Sequence, residues 1–139
     1  MDRDLIATKL ESLRRCVDRI VAKTPSSAEQ LALDLDSQDV IALNLQRAVQ
    51  LCVDLAAHVI ADTNARPPAT MAENFEILEQ LKIINPALAE RMIKSVGFRN
   101  IAVHSYQSID WRIVFQICRH HLGEFKQFAQ AIAHRLQCS

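Results

Sequence analysis

The chain has 139 residues, half of them hydrophobic, and its 16 lysines and arginines balance its 16 aspartates and glutamates. The length suits one domain with a single core, read as residues 1–139. Zero net charge excludes a general nucleic-acid coat, which needs an overall basic surface, but leaves room for a local basic cleft. Two glycines and four prolines are too few for a fold of many tight turns, so composition points to a few long helices joined by short loops.

The first periodic segment spans about 4–23, where Ile6, Leu10, Leu13, Val17 and Ile20 form one apolar stripe. Thr24-Pro25-Ser26-Ser27 stops it, and Ser26 or Ser27 can cap the next helix. That second helix has a break around 34–39 and is strong from Val40, with Leu45, Val49, Cys52, Ala56, Val59 and Ile60 on a shared face. It ends before Arg66-Pro67-Pro68. A short third helix, about 71–81, starts at a capping-box pair, Thr70 and Glu73, and turns Phe75, Leu78 and Leu81 inward. Asn85-Pro86 opens a fourth, with Leu88, Met92 and Val96 on its core face. The last helix is read as continuous over about 110–136, with Val114, Cys118, Phe125, Phe128, Ile132 and Leu136 as its stripe. The expected fold is all-α: an antiparallel bundle of four main helices plus a short one.

The four cysteines, Cys16, Cys52, Cys118 and Cys138, show no CxxC pair, and no leader-like segment precedes them. They are expected to be reduced thiols of a cytoplasmic protein. No apolar run is read as approaching the roughly 20 residues of a membrane span. Cys118, His120 and His121 lie close in sequence, but structural zinc takes four ligands from two paired clusters and there is no second cluster, so no metal is expected.

Chemistry concentrates between 99 and 106. An RNase that works without metal must take a proton from a ribose 2′-OH, stabilise charge on the phosphate and protonate the leaving 5′ oxygen. Histidine suits the proton steps, with an unperturbed pKa of about 6.5, and the planar, always-charged guanidinium of arginine suits the phosphate. Arg99 and His104, with Asn100 beside them, supply that kit. On an ideal helix Arg99 and His104 stand roughly 140° apart. Their side chains can converge over Val103 if the helix ends there, or meet the same groups of a second subunit. On this spacing alone, a core histidine satisfied by a neighbour is the preferred reading.

The longer string Gly97-Phe98-Arg99-Asn100-Ile101-Ala102-Val103-His104-Ser105-Tyr106 closely resembles the signature of the HepT-like toxins of the HEPN superfamily. Gln50 to His58, Pro67-Pro68, Glu73-Asn74-Phe75 with Leu78, and Ser108-Ile109-Asp110 are similar to further segments of that family, so the resemblance covers the chain from about residue 40 onward. It implies a homodimeric, metal-independent endoribonuclease, without cofactor, that cleaves RNA at a cleft shared by two subunits. It also implies a type VII-like toxin–antitoxin partnership, with a minimal nucleotidyltransferase antitoxin that adds AMP to the motif tyrosine. Carried over, Arg99 clamps the scissile phosphate, His104 transfers protons, Asn100 positions one of them, Asp54 holds Arg99 or His104 from behind, and Tyr106 accepts AMP. Tyr106, seven residues after Arg99, is expected two turns along the same helical stripe, partly exposed at the mouth of the cleft.

Other features carry less. His58 reads as structural. Arg91 and Lys94 extend a basic track or simply form a solvated face; Trp111 and Phe115 stack on bases or pack the bundle; Arg14-Arg15 is an ordinary surface pair. The rival function is a non-catalytic helical module that binds and regulates a nucleotidyltransferase; a purely structural dimerisation bundle would have no use for the polar string.

Overall fold

The computed structural model describes residues 1–138, which form seven α-helices and one turn of 3-10 helix. These are α1 (Arg3–Lys23), α2 (Ala28–Leu33), α3 (Leu35–Ala61), α4 (Met71–Gln80), α5 (Pro86–His104), the 3-10 turn (Tyr106–Ser108), α6 (Trp111–His120) and α7 (Gly123–Cys138).

The helix starts are set by side-chain caps. Ser27 accepts the Gln30 N–H, Thr70 accepts the Glu73 N–H, and Asn85 accepts the Leu88 N–H with Pro86 in the first turn. Glu73 completes the start of α4 by taking the Ala69 N–H on its carboxylate. The break expected over 34–39 is one residue wide. Asp34 leaves helical geometry (φ −105°, ψ 93°), ends α2 and caps α3 through its bond from the Ser37 N–H.

Helix α3 is the core element, packed against α1, α2, α4, α5 and α7. By length and composition it is apolar enough to cross a membrane, contrary to the sequence reading that no run approached that length. Its apolar side chains are instead enclosed by the bundle: Ile41, Leu45, Val49, Cys52, Leu55, Ala56, Val59 and Ile60 are buried. Helix α1 runs back against it, since the Met1 ammonium reaches Asp62, just past the far end of α3, at 3.3 Å. The start of α1 also meets the end of α7, where Arg3 Nη2 donates to the Leu136 carbonyl at 2.7 Å.

The last helix is not continuous. It breaks at His121, whose φ of −124° and ψ of 0° end α6, and Leu122 turns into the core before α7 starts at Gly123. The break lets α6 cover α2 while α7 packs on α1, α3 and α5. The apolar spacing hid it because Cys118, Leu122 and Phe125 keep helical intervals across the interruption.

Phe75 of α4 and Phe128 of α7 meet edge to face, ring centroids 5.7 Å apart, both fully buried. Phe128→Ala removes that pair and opens a cavity. It should lower unfolding free energy by about 3–5 kcal/mol, measured by denaturant titration with an unchanged slope.

Candidate active site on helix α5

The core face of α5 carries Leu88, Ala89, Met92, Val96 and Ala102, all buried. This fixes the helix's rotation and turns Asn100, Val103 and His104 outward, all exposed. Arg99 is half-buried. Its Nη1 donates to Asn100 Oδ1 at 3.2 Å, and its buried Nε has no acceptor. The structure therefore brings Arg99 and Asn100 together, with most of the guanidinium's donors unspent. A buried donor without a partner costs about 1–3 kcal/mol. Helix α5 ends at His104, so Arg99 and His104 keep the separation of roughly 140° around the axis and about 7.5 Å along it. One chain presents both groups on an exposed helix end but does not close them around a phosphate.

Tyr106 does not continue the stripe of Arg99. Ser105 leaves helical geometry (φ −148°, ψ 53°), and its N–H closes α5 on the Ile101 carbonyl. Tyr106 then begins the 3-10 turn, held by bonds from the Ser108 N–H to the Ser105 carbonyl and from the Ile109 N–H to the Tyr106 carbonyl. The phenol swings back to α3, where its hydroxyl donates to Asp39 Oδ1 at 2.5 Å, and its ring meets Trp111 edge to face at 5.9 Å. It remains 38 % exposed. Burial, then the hydrogen bond and charge of Asp39, push the phenol above the usual tyrosine range.

Asp54 does not stand behind Arg99 or His104 within the chain. It faces α1, accepting from Gln50 Nε2 at 2.9 Å and pairing with Lys9 Nζ at 3.5 Å. The basic track upstream of Arg99 is neutralised, since Arg91 pairs with Glu124 at 3.0 Å and Lys94 with Glu90 at 3.4 Å. Phe115 is buried, with the Arg119 guanidinium over its ring at 5.8 Å. Trp111 is half-buried against Tyr106. Cys118 is buried, His120 exposed, and His121 bonded to Glu124 at 2.8 Å.

A sequence profile described as Ribonuclease HepT-like matches residues 8–132. The chain belongs to the HepT-like ribonuclease family. Among its relatives, the mRNA nuclease HepT of Shewanella oneidensis is 36% identical over 93% of this chain and 96% of its own length. The tRNA nuclease HepT of Aphanizomenon flos-aquae is 27% identical over 92% of this chain and 87% of its own length. The fold matches the tri-AMPylated HEPN toxin of Shewanella oneidensis, solved in complex with its MNT antitoxin, with a TM-score of 0.89 at 35% identity, covering 95% of this chain and 98% of that one. A toxin–antitoxin structure with AMP-PNP matches with a TM-score of 0.87 at 35% identity, over 94% and 98% of the two chains.

Two features of this HepT-like chain are not legible in its sequence. Asp39 is 67 residues from Tyr106, and no spacing rule connects a carboxylate on one helix to a turn after another. A groove of about 580 Å³ between α1 and α3 is lined by Arg15, Arg19 and Arg47. The i, i+4 spacing of Arg15 and Arg19 is a visible signal for only part of it. Arg14 turns aside, pairing with Glu11 and Asp18.

Tyr106 is the chain's one tyrosine, so its titration can be read directly by ultraviolet difference absorbance. No phenolate should appear at the ordinary midpoint near pH 10; it should form only above that range or as the chain unfolds in alkali. Asp39→Asn should bring the midpoint down while leaving the contribution of burial. Because the folded pKa is raised, this group's stabilisation is complete below about pH 10 and is lost as pH rises beyond it. A midpoint at the ordinary value in the wild type would contradict the observed contact.

Proposed function

We propose that this chain is the toxin nuclease of a toxin–antitoxin pair, a metal-independent endoribonuclease. The observation that carries the reading is the grouping of Arg99, Asn100 and His104 at the exposed C-terminal end of α5 in a chain of the HepT-like ribonuclease family. In this mechanism Arg99, oriented by Asn100, holds the scissile phosphate and offsets the charge that grows on it. His104 takes the ribose 2′-OH proton, the 2′ oxygen attacks phosphorus, and a protonated histidine returns a proton to the departing 5′ oxygen. The products are a 2′,3′-cyclic phosphate and a 5′-OH end.

One histidine in a single protonation state cannot perform both proton steps at once. A homodimer that faces two motifs across its axis supplies the second. Ile101 and Val103, 44% and 40% exposed beside the motif, are apolar surface such an interface would cover. The partner proposed is a minimal nucleotidyltransferase antitoxin, by analogy with the MNT antitoxin bound to the Shewanella toxin. It would add AMP to Tyr106, which is exposed enough to be reached. An adenylate there adds negative charge and bulk two residues after His104, at the end of the motif helix. The proposed place of action is the cytoplasm.

Purified protein should cut RNA in excess EDTA and leave 2′,3′-cyclic phosphate ends. Arg99→Ala and His104→Ala should each lower cleavage by at least about a hundredfold, with helical circular dichroism retained. Cleavage abolished by EDTA and restored by magnesium would overturn the mechanism, as would a light-scattering monomer that retains full activity.

A further inference from the structure

The hydrogen bond between Tyr106 and Asp39 joins the acceptor of the modification to a carboxylate of the same chain. We propose that Asp39 is the general base for adenylylation of Tyr106, so that the toxin supplies a catalytic residue for its own neutralisation. This inference rests on the reading of Tyr106 as the AMP acceptor.

The geometry supplies what the step needs. The 3-10 turn fixes the backbone of Tyr106, buried Ile109 anchors the turn behind it, and Trp111 meets the ring edge on. The phenol hydrogen already points to Asp39 Oδ1, at 2.5 Å, and holding a nucleophile in a fixed attitude removes part of the entropic cost of attack. In the reaction the phenolic oxygen attacks the α-phosphorus of ATP presented with magnesium by the partner nucleotidyltransferase. The O–P bond forms, the bond from that phosphorus to the bridging oxygen breaks, and pyrophosphate leaves with the electron pair. The phenolic proton passes to Asp39.

Burial and the carboxylate raise the phenol's pKa, so free phenolate is scarce at neutral pH. The proton must then leave as the O–P bond forms, the condition under which a positioned base contributes most. Asp39, from α3, is the charged group acting on the phenol. From α6 the contact is the uncharged Trp111 ring, and α5 ends in His104 two residues before the tyrosine.

The test follows adenylylation by intact-mass spectrometry, with the full-length toxin, its cognate minimal nucleotidyltransferase at saturating concentration, and magnesium ATP. Wild type, Asp39→Asn, Asp39→Glu and Tyr106→Phe are compared between pH 7 and 9.5. Circular dichroism, melting and affinity for the nucleotidyltransferase are measured for each. Asp39→Asn should slow AMP addition by about a hundredfold or more at pH 7. The ratio to wild type should narrow as pH rises and hydroxide takes over, and Asp39→Glu should restore part of the rate. A loss under tenfold, a loss constant across pH, or a loss explained by weaker complex formation or unfolding of Asp39→Asn together with no rescue by Asp39→Glu would overturn the role of Asp39. If wild type takes no adduct, or Tyr106→Phe takes the same adduct, the tyrosine reading itself fails and Asp39's role falls with it.

Discussion

About half of the 27 residues of α3 are buried, and a helix that apolar must be covered on nearly every side. The rest of the chain is arranged to do this. Helices α1, α4, α5 and α7 all lie against it, and clasps at the chain ends, Met1 to Asp62 and Arg3 to Leu136, hold the cover closed. Because α5 contributes Met92, Val96 and Ala102 to that burial, its rotation is fixed. The polar residues between those positions are thereby aimed at solvent. The site's orientation is thus a by-product of hydrophobic burial.

The second constraint is where α5 stops. Had the helix run on through Ser105, Tyr106 would stand above Arg99 on the same stripe. The extended φ of Ser105 folds the chain back instead, so Tyr106 reaches Asp39 near the start of α3. A residue on α3 thereby acts on the tyrosine, while Arg99 and Asn100 stay on α5, bonded to each other. The proposed cleavage and modification chemistries share one helix end, and different carriers position their parts.

Charge is arranged locally. The balanced totals of the sequence conceal an uneven surface. Arg91 and Lys94 are paired with glutamates, whereas Arg19 and Arg47, with Arg15 that also pairs with Glu11, line one groove between α1 and α3 that Asp54 borders too. Exposed pairs of the first kind contribute little to stability. Each places a carboxylate within ion-pair distance of a cation upstream of the motif.

The sequence by itself determined most of the helical spans, some of the caps and the identity of the motif. Apolar periodicity and the Ser27, Thr70 and Asn85 caps act within a few residues of themselves, so the helix ends they set were readable. The string from Arg99 to Tyr106 is contiguous, and so was its family likeness. Tertiary structure decided the rest. Asp54 turned out to serve Lys9 and Gln50 because the covering of α3 by α1 sets which way that face points. The last helix broke at His121 because α6 and α7 cover different neighbours, a demand invisible to a repeat that stays in phase across the break. Asp39 came to Tyr106 over 67 residues of chain. Contacts of that separation are fixed only when a core closes between them, and no local pattern encodes them.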